Sequence, residues 1–144
     1  MISLLDASVL IALFDEAHFH HHQAHHWLSE NRSAGWASCP ISQNACIRIM
    51  SQPAYPGHLS VADITRRLRT AVAAEDHHFW ADSISLCSKE FFEPSSLVSS
   101  KHLTDLYLLS LAVNNGGRLV TFDQGISLAA VPGAGDDHIV LLGK

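Results

Sequence analysis

Short apolar stretches alternate along the chain with longer stretches in which apolar residues recur every three or four positions. Strand-length apolar segments occur at residues 2–5, 35–39, 77–80, 119–122 and 138–142. Between them, the helical period predicts helices at residues 8–14, within 17–28, after Pro40, after Ser60, and from Thr104 onward. This alternation predicts an α/β fold with a largely parallel central sheet.

Local signals predict where the helices begin and end. Thr104 is the expected N-cap of the last long helix, and Gly116 and Gly117 are expected to end it. Pro40 stands at a first helical position, and Ser60 followed by Asp63 forms a capping box. Residues 82–87 are predicted as a turn and short helix, 89–101 as a polar connection, and 125–131 as a short helix or turn.

Three aspartates fall where the predicted elements converge. Asp6 ends the first strand and Asp123 ends the fourth, at the sheet edge where open α/β sheets bind ligands. Asp105 lies three residues before Leu108 and therefore shares the inward side of its helix. Each acid also has a purely structural interpretation, because aspartate is common at helix N-caps, in first helical turns and in tight turns.

Three carboxylates at one edge would repel one another unless cations bind between them. Hard oxygen ligands with open positions favour Mg²⁺ or Mn²⁺ over Zn²⁺. Such a site suits hydrolysis of phosphodiester bonds, because the metal activates a water molecule and neutralises the leaving oxygen. Ser8 and Thr121 are positioned in the sequence to hydrogen-bond these carboxylates.

Composition predicts one globular domain spanning residues 1–144, because 47% of the residues are hydrophobic and 16% are charged. The net charge of −5 gives no broad basic surface for nucleic acid or membrane. The densest basic group, at Arg66, Arg67 and Arg69, is either a solvated helix face or a set of phosphate contacts.

Cysteine usage and the N-terminal residues predict a cytoplasmic protein without a membrane segment. The three cysteines are odd in number and form no C-x-x-C motif, which indicates reduced thiols. The N-terminus lacks the basic region of a signal peptide, and the apolar run at residues 9–14 is too short to cross a bilayer.

Residues 17–28 contain more than half of the chain's 11 histidines. Pairs such as His18 and His22, or His21 and His25, have the spacing that can hold a transition metal on a helix face. A solvated helix face explains the same pattern, and the sequence does not assign a role to histidines 18–26.

Four segments together resemble the PIN-domain ribonucleases, in particular the VapC-type toxins of bacterial toxin–antitoxin pairs. They are Leu-Leu-Asp6-Ala-Ser, Trp36-Ala-Ser-Cys-Pro-Ile-Ser-Gln-Asn, Thr104-Asp-Leu-Tyr-Leu-Leu and Leu119-Val-Thr-Phe-Asp123. The resemblance implies a three-layer α/β/α sandwich and an endoribonuclease that requires Mg²⁺ or Mn²⁺. It also implies an RNA substrate, a VapB-like antitoxin as partner, and frequent homodimer formation. Asp6, Asp105 and Asp123 would then be the catalytic metal ligands.

One position departs from that family, whose members usually have a glutamate in the first turn of the third helix. Gln43 stands there, followed by Asn44. An amide keeps an oxygen ligand but removes a charge, so Gln43 is expected to be a weak ligand or a water-positioning group, with Asn44 behind it. The alternative is a degenerate module that binds antitoxin or RNA without cleaving. Arg48 joins the arginines that would hold RNA phosphates.

Overall fold

The computed structural model describes residues 1–94 and 98–143 and contains a five-stranded sheet in the order β3-β2-β1-β4-β5, parallel throughout. The strands are short: β1 (Ser3–Leu5), β2 (Trp36–Ser38), β3 (His77–Phe79), β4 (Arg118–Thr121) and β5 (Ile139–Leu141). The helices are α1 (Ala7–Phe14), α2 (His21–Asn31), α3 (Pro40–Met50), α4 (Val61–Val72) and α5 (Leu103–Asn114). The predicted α/β class and parallel sheet are confirmed.

Helices cover both faces of the sheet, which gives the predicted three-layer sandwich. On one face, Leu4 and Leu119 pack against α5. On the other face, Leu5 and Val120 pack with apolar residues of α1, α2, α3 and α4. Strands buried on both faces are typical of parallel sheets, which explains why the strand segments are apolar runs without clear alternation.

The register of the central strands brings two of the predicted acids together. Strand β1 lies between β2 and β4, and Leu5 pairs with Val120. Asp6 therefore follows β1 at the same edge of the sheet at which Asp123 follows β4. Residues 117 positions apart in the chain meet because the two strands are parallel neighbours.

Several predicted helix ends are confirmed. Pro40 occupies the first position of α3, and the Ser60 side chain accepts a hydrogen bond from the backbone N–H of Asp63 at the start of α4. Helix α5 is followed by Gly116, whose φ of 70° lies in the left-handed region that glycine adopts most easily. The glycine pair therefore ends the helix as expected.

Two predictions of local structure are wrong. Thr104 is not the N-cap of α5, because a 3-10 turn at Ser100–His102 runs directly into the helix and Ser99 caps that turn. Of the turn and short helix predicted at residues 82–87, the turn is present at residues 86–87, but no helix forms, and the buried Ile84 and the partly buried Leu86 pack into the core.

Two more segments, at residues 89–101 and 125–131, were predicted as connections or short turns. The polar connection predicted at 89–101 includes residues 95–97, which lie outside the described residues. The segment predicted as a short helix or turn at 125–131 contains a 3-10 turn at Leu128–Ala130.

The histidine-rich segment contacts the end of α1. The Nδ1 atom of His21 lies 2.7 Å from the carbonyl oxygen of Ala12, and the Nε2 atom of His25 lies 2.9 Å from that of Leu13. These carbonyls belong to the last turn of α1, where the helix leaves acceptors unpaired. The i, i+4 spacing of His21 and His25 therefore has a structural explanation.

Within the described residues, no helix is both long and apolar enough to cross a bilayer.

Candidate metal centre

The side chains of Asp6, Asp105 and Asp123 converge at the carboxyl edge of the sheet. One carboxylate oxygen from each lies within 4.8 Å of the others. Asp6 and Asp105 are 2% and 8% exposed, whereas Asp123 is exposed. The group is therefore buried on one side and open to solvent on the Asp123 side.

Asp6 is held by an extensive set of hydrogen bonds. Its Oδ1 atom accepts from the hydroxyl of Ser8 at 2.5 Å and from the backbone N–H of Val9 at 3.0 Å, so Asp6 also caps α1. Its Oδ2 atom accepts from the hydroxyl of Thr121. A carboxylate offers about four lone-pair positions, so one on Oδ2 remains for a cation after these three bonds.

Thr121 connects two of the acids. It is fully buried, donates to Asp6, and accepts a 3.0 Å hydrogen bond from the backbone N–H of Asp123. The structure thus places both hydroxyls that the sequence pointed to, Ser8 and Thr121, against Asp6. Such contacts fix the direction of a ligand's lone pairs.

Burial and mutual repulsion disfavour the ionised form of the inner acids. Burial raises the pKa of Asp105 to about 7, and the charges of Asp123 and Asp6 add to the rise. Burial also raises the pKa of Asp6, against the lowering effect of the hydrogen bonds from Ser8, Thr121 and Val9. A bound divalent cation would offset the repulsion between these carboxylates and so favour their ionised form.

The carboxylates line a hollow of about 230 Å³, which we call the acid hollow. Its opposite wall is a stripe of α3 composed of Ile41, Ser42, Ala45 and Ile49. Ile11 and Leu108 complete the apolar part of the lining. Anionic groups on one side and an apolar wall on the other favour a small cation next to the acids.

The structure does not bring Gln43 into the acid hollow. Its amide donates to the hydroxyl of Ser38 at 2.9 Å, and that hydroxyl also contacts Nε2 of His77 at 2.7 Å. The side chain lines a separate depression with Leu68 and Arg69 of α4. Gln43 is one position beyond Ser42 on α3, and a helix turns about 100° per residue, so the two face different sides.

The remaining predicted residues lie on the surface, and none of them lines the acid hollow. Asn44 and Arg48 are exposed on α3. Arg66 contacts the carboxylate of Asp63 at 2.8 Å, and Arg67 donates to the carbonyl of Phe14 at 3.3 Å. The basic face of α4 is thus partly engaged within the protein.

Two residues near the acids were missed by the sequence interpretation. The Nδ1 atom of His102 lies 3.8 Å from Oδ2 of Asp105, and Ser42 lines the acid hollow. His102 precedes Asp105 by three residues, which is the spacing that places two side chains on one helix face. That spacing could have identified the histidine.

Comparisons with known proteins agree with this arrangement. The family model of the PIN domain matches residues 3–132, which include all three acids. The chain belongs to the PIN-domain family. The match spans β1 through β4 and the helices between them.

Among PIN-domain proteins the chain is similar to VapC ribonucleases. It is 45% identical over 142 residues to ribonuclease VapC44 of Mycobacterium tuberculosis, covering 99% of this chain and 100% of the relative. It is 36% identical over 126 residues to ribonuclease VapC38 of the same organism, covering 87% of each. These identities place the chain in the VapC group, as the motif resemblance predicted.

A solved structure supports the fold independently. The crystal structure of VapBC2 from Rickettsia felis, bound to a promoter DNA fragment, matches with a TM-score of 0.56. The sequence identity is 13%, and the match covers 85% of this chain and 88% of that one. At this identity the similarity concerns the PIN-like fold alone.

The electrostatics of the PIN acid hollow predict that the metal-free protein is most stable in mild acid. A folded-state pKa of about 7 for Asp105 exceeds the ordinary value of 3.8, so the folded state retains a proton that the unfolded state loses. The stabilisation that comes from the proton on Asp105 is fully present below about pH 4 and is lost as the pH rises through 7. In EDTA, we expect Tm to fall by roughly 3 °C or more between pH 5 and 8.

Asp105→Asn should flatten that profile, whereas Asp136→Asn, at an exposed site away from the hollow, should retain it. Calorimetry of the three proteins across this pH range measures the effect. Parallel profiles for the wild type and Asp105→Asn would contradict the crowded-acid description.

Proposed function

We propose that this VapC-group protein is a metal-dependent endoribonuclease that hydrolyses RNA phosphodiester bonds as the toxin of a toxin–antitoxin pair. The observation that carries the proposal is the convergence of Asp6, Asp105 and Asp123 within 4.8 Å in a chain of this family. The relatives are named ribonucleases, and the acid hollow provides the chemistry that such an activity needs.

The three acids fit one divalent cation of the Mg²⁺ or Mn²⁺ type. Oxygen ligands on opposite sides of a Mg²⁺ ion lie about 4.2 Å apart, close to the 4.8 Å spread of the carboxylate oxygens. Donor chemistry agrees, because all three groups are carboxylates, which hard cations prefer over nitrogen or sulfur ligands. When bound, such a cation lowers the pKa of coordinated water and neutralises charge on a phosphodiester.

The chain's own residues divide the remaining tasks. Ser8, Thr121 and the N-terminus of α1 hold Asp6 in a fixed orientation. Asp105 supplies a second carboxylate from the first turn of α5, and Asp123 supplies the third at the open side, where a phosphodiester can approach. The apolar wall of α3 limits water opposite the acids, which strengthens electrostatic interactions within the hollow.

The alternative of a non-cleaving module depended on Gln43 replacing a glutamate ligand. In the structure the Gln43 side chain contacts Ser38 outside the acid hollow, and the three-aspartate group forms without it. Nothing in the described residues favours the degenerate module. We assign Gln43 a structural contact between α3 and the end of β2.

The proposal includes partners. A VapB-like antitoxin would inhibit the enzyme, because the relatives belong to VapC toxins and the matched Rickettsia felis structure is a VapBC assembly. A homodimer is proposed from family membership. Among the basic residues, Arg48 is the best candidate for an RNA phosphate contact, since it is exposed and follows Ala45 by three residues and Ile41 by seven, the spacing of one helix side.

A cleavage assay tests the function directly. Purified protein is incubated with single-stranded RNA in Mg²⁺, in Mn²⁺, and in EDTA with subsequent metal addition. We expect internal cleavage with either ion, loss of cleavage in EDTA, and recovery when the metal is restored. Cleavage that persists in EDTA after dialysis would contradict a metal-dependent mechanism.

Two variants in the same assay separate the enzyme from the non-cleaving module. Gln43→Ala should cleave within about threefold of the wild type, because its side chain lies outside the acid hollow. Wild-type protein that fails to cleave, together with Gln43→Glu protein that cleaves, would instead support the degenerate module.

A further inference from the structure

Four aromatic rings form a continuous surface that none of the roles described above explains. We call it the ring platform; it consists of His18, Phe19, His20 and Phe122. His20 stacks on Phe122 with ring centroids 4.5 Å apart and an interplanar angle of 18°. Phe19 meets His20 edge-on at 4.9 Å, and His18 lies 5.9 Å from His20.

The outermost ring is unusually exposed. Phe19 is 92% exposed, whereas Phe122, at the base of the platform, is partly buried against the core. Isolated exposed apolar residues are common and need no explanation. Here, however, the exposed ring meets His20 edge-on, and His20 in turn stacks on Phe122, so the neighbours of Phe19 are held in place.

The base of the ring platform is one residue away from the acid hollow along the backbone. Phe122 directly precedes Asp123, so their Cα atoms are about 3.8 Å apart. The rings extend from that point in steps of 4.5 and 4.9 Å. Neighbouring bases in a stacked strand are about 3.4 Å apart, so a base on the platform would lie within a few nucleotides of a phosphate in the hollow.

The chemistry of the platform suits an unpaired base rather than a phosphate backbone. Aromatic and imidazole rings stack on the π-face of any base, which is how proteins commonly bind single-stranded RNA. The carboxylates of Asp15 and Glu16 lie next to the platform in sequence and disfavour an anionic contact there. Burial lowers the pKa of His18, which keeps its ring neutral at neutral pH.

We propose that the ring platform stacks an unpaired base of the RNA and thereby positions the adjoining phosphodiester in the acid hollow. Phe19 would be the principal stacking residue, His20 and Phe122 would orient it, and a single-stranded RNA segment is the ligand. The proposal rests on the ribonuclease function proposed above, because it assigns a positioning residue for that substrate.

The test compares Phe19→Ala with Phe79→Ala. Phe79 is 57% exposed on β3, at the edge of the sheet beyond β2 and β1 from β4, so its loss removes a similar ring far from the hollow. Binding is measured in EDTA with short single-stranded RNA carrying 2-aminopurine, whose fluorescence falls when it stacks. We expect Phe19→Ala to weaken binding by about fivefold or more and to abolish the quenching, while Phe79→Ala changes neither.

Two further substitutions distinguish stacking from simple apolar contact. Phe19→Trp should restore both affinity and quenching, whereas Phe19→Leu should restore neither. Equal binding and quenching by wild-type, Phe19→Ala and Phe79→Ala proteins would overturn the proposal. So would a Phe19→Ala variant that binds RNA normally but loses antitoxin binding or self-association, since the platform would then be a protein-binding surface.

The binding and cleavage results separate the two proposals. A wild-type protein that quenches 2-aminopurine through Phe19 but never cleaves RNA would retain the platform and remove the nuclease function. A protein that cleaves RNA with unchanged KM in Phe19→Ala would retain the nuclease and remove the platform.

Discussion

Asp6→Asn is expected to reduce RNA cleavage by at least about 100-fold. Loss of a residue that merely supports a metal ligand typically costs 10- to 100-fold, so loss of a ligand's charge should reach at least the upper end of that range. Asparagine remains a good N-cap, so α1 should still begin at Ala7. Cleavage rates at saturating Mg²⁺ and at saturating Mn²⁺ measure the effect.

The matched control for Asp6→Asn is Asp136→Asn, which removes the same charge from an exposed 3-10 turn. It should cleave RNA at the wild-type rate. Thermal unfolding in EDTA should show that Asp6→Asn is at least as stable as the wild type, because burial disfavours the charge on Asp6. A stable Asp6→Asn protein that retained cleavage would exclude Asp6 as a ligand.

Thr121→Val is expected to have the second largest effect, a 10- to 100-fold loss of metal affinity and cleavage. Valine has nearly the same shape but lacks the hydroxyl that donates to Asp6 and accepts from the N–H of Asp123. The substitution also leaves that N–H without its acceptor, which should lower the free energy of unfolding by about 1–3 kcal/mol.

Thr70→Val provides the control for Thr121→Val. The hydroxyl of Thr70 donates to the carbonyl of Arg66 on the exposed side of α4, so its removal should change stability by less than about 0.5 kcal/mol. Denaturant unfolding and Mn²⁺ titration measure both variants. Wild-type metal affinity in a folded Thr121→Val protein would show that this hydroxyl does not orient the acids.

The sequence predicted the parts of the centre that depend on strand order and helix period. Asp6 and Asp123 follow apolar strands, and parallel strands bring their carboxyl ends to one edge. The period of α5 placed Asp105 on the same side as Leu108, and both line the acid hollow. These positions follow from backbone geometry, which sequence patterns report well.

Side-chain direction within a helical turn was harder to predict. Gln43 was expected at the acids, but a rotation of about 100° from Ser42 directs it to Ser38 instead. The 3-10 turn before α5 likewise displaced the expected cap at Thr104. Such details depend on which neighbours are available in space, and a single sequence does not show those neighbours.

The histidine-rich segment shows the same limit. Its i, i+4 spacing fits a metal site and a structural contact equally well. Only the positions of the Ala12 and Leu13 carbonyls explain why His21 and His25 point toward α1. The stacking of His20 on Phe122 could not be predicted from the sequence either. These residues are about 100 positions apart, and only the folded structure brings His20, before α2, next to Phe122, after β4.

The most direct test of the metal centre is a crystal of the protein soaked in Mn²⁺, with the ion located by its anomalous scattering. We expect a peak in the acid hollow about 2.0–2.3 Å from carboxylate oxygens of Asp6, Asp105 and Asp123. A fully occupied Mn²⁺ peak elsewhere on the molecule, with none between these three carboxylates, would contradict the assignment of the hollow as the metal centre.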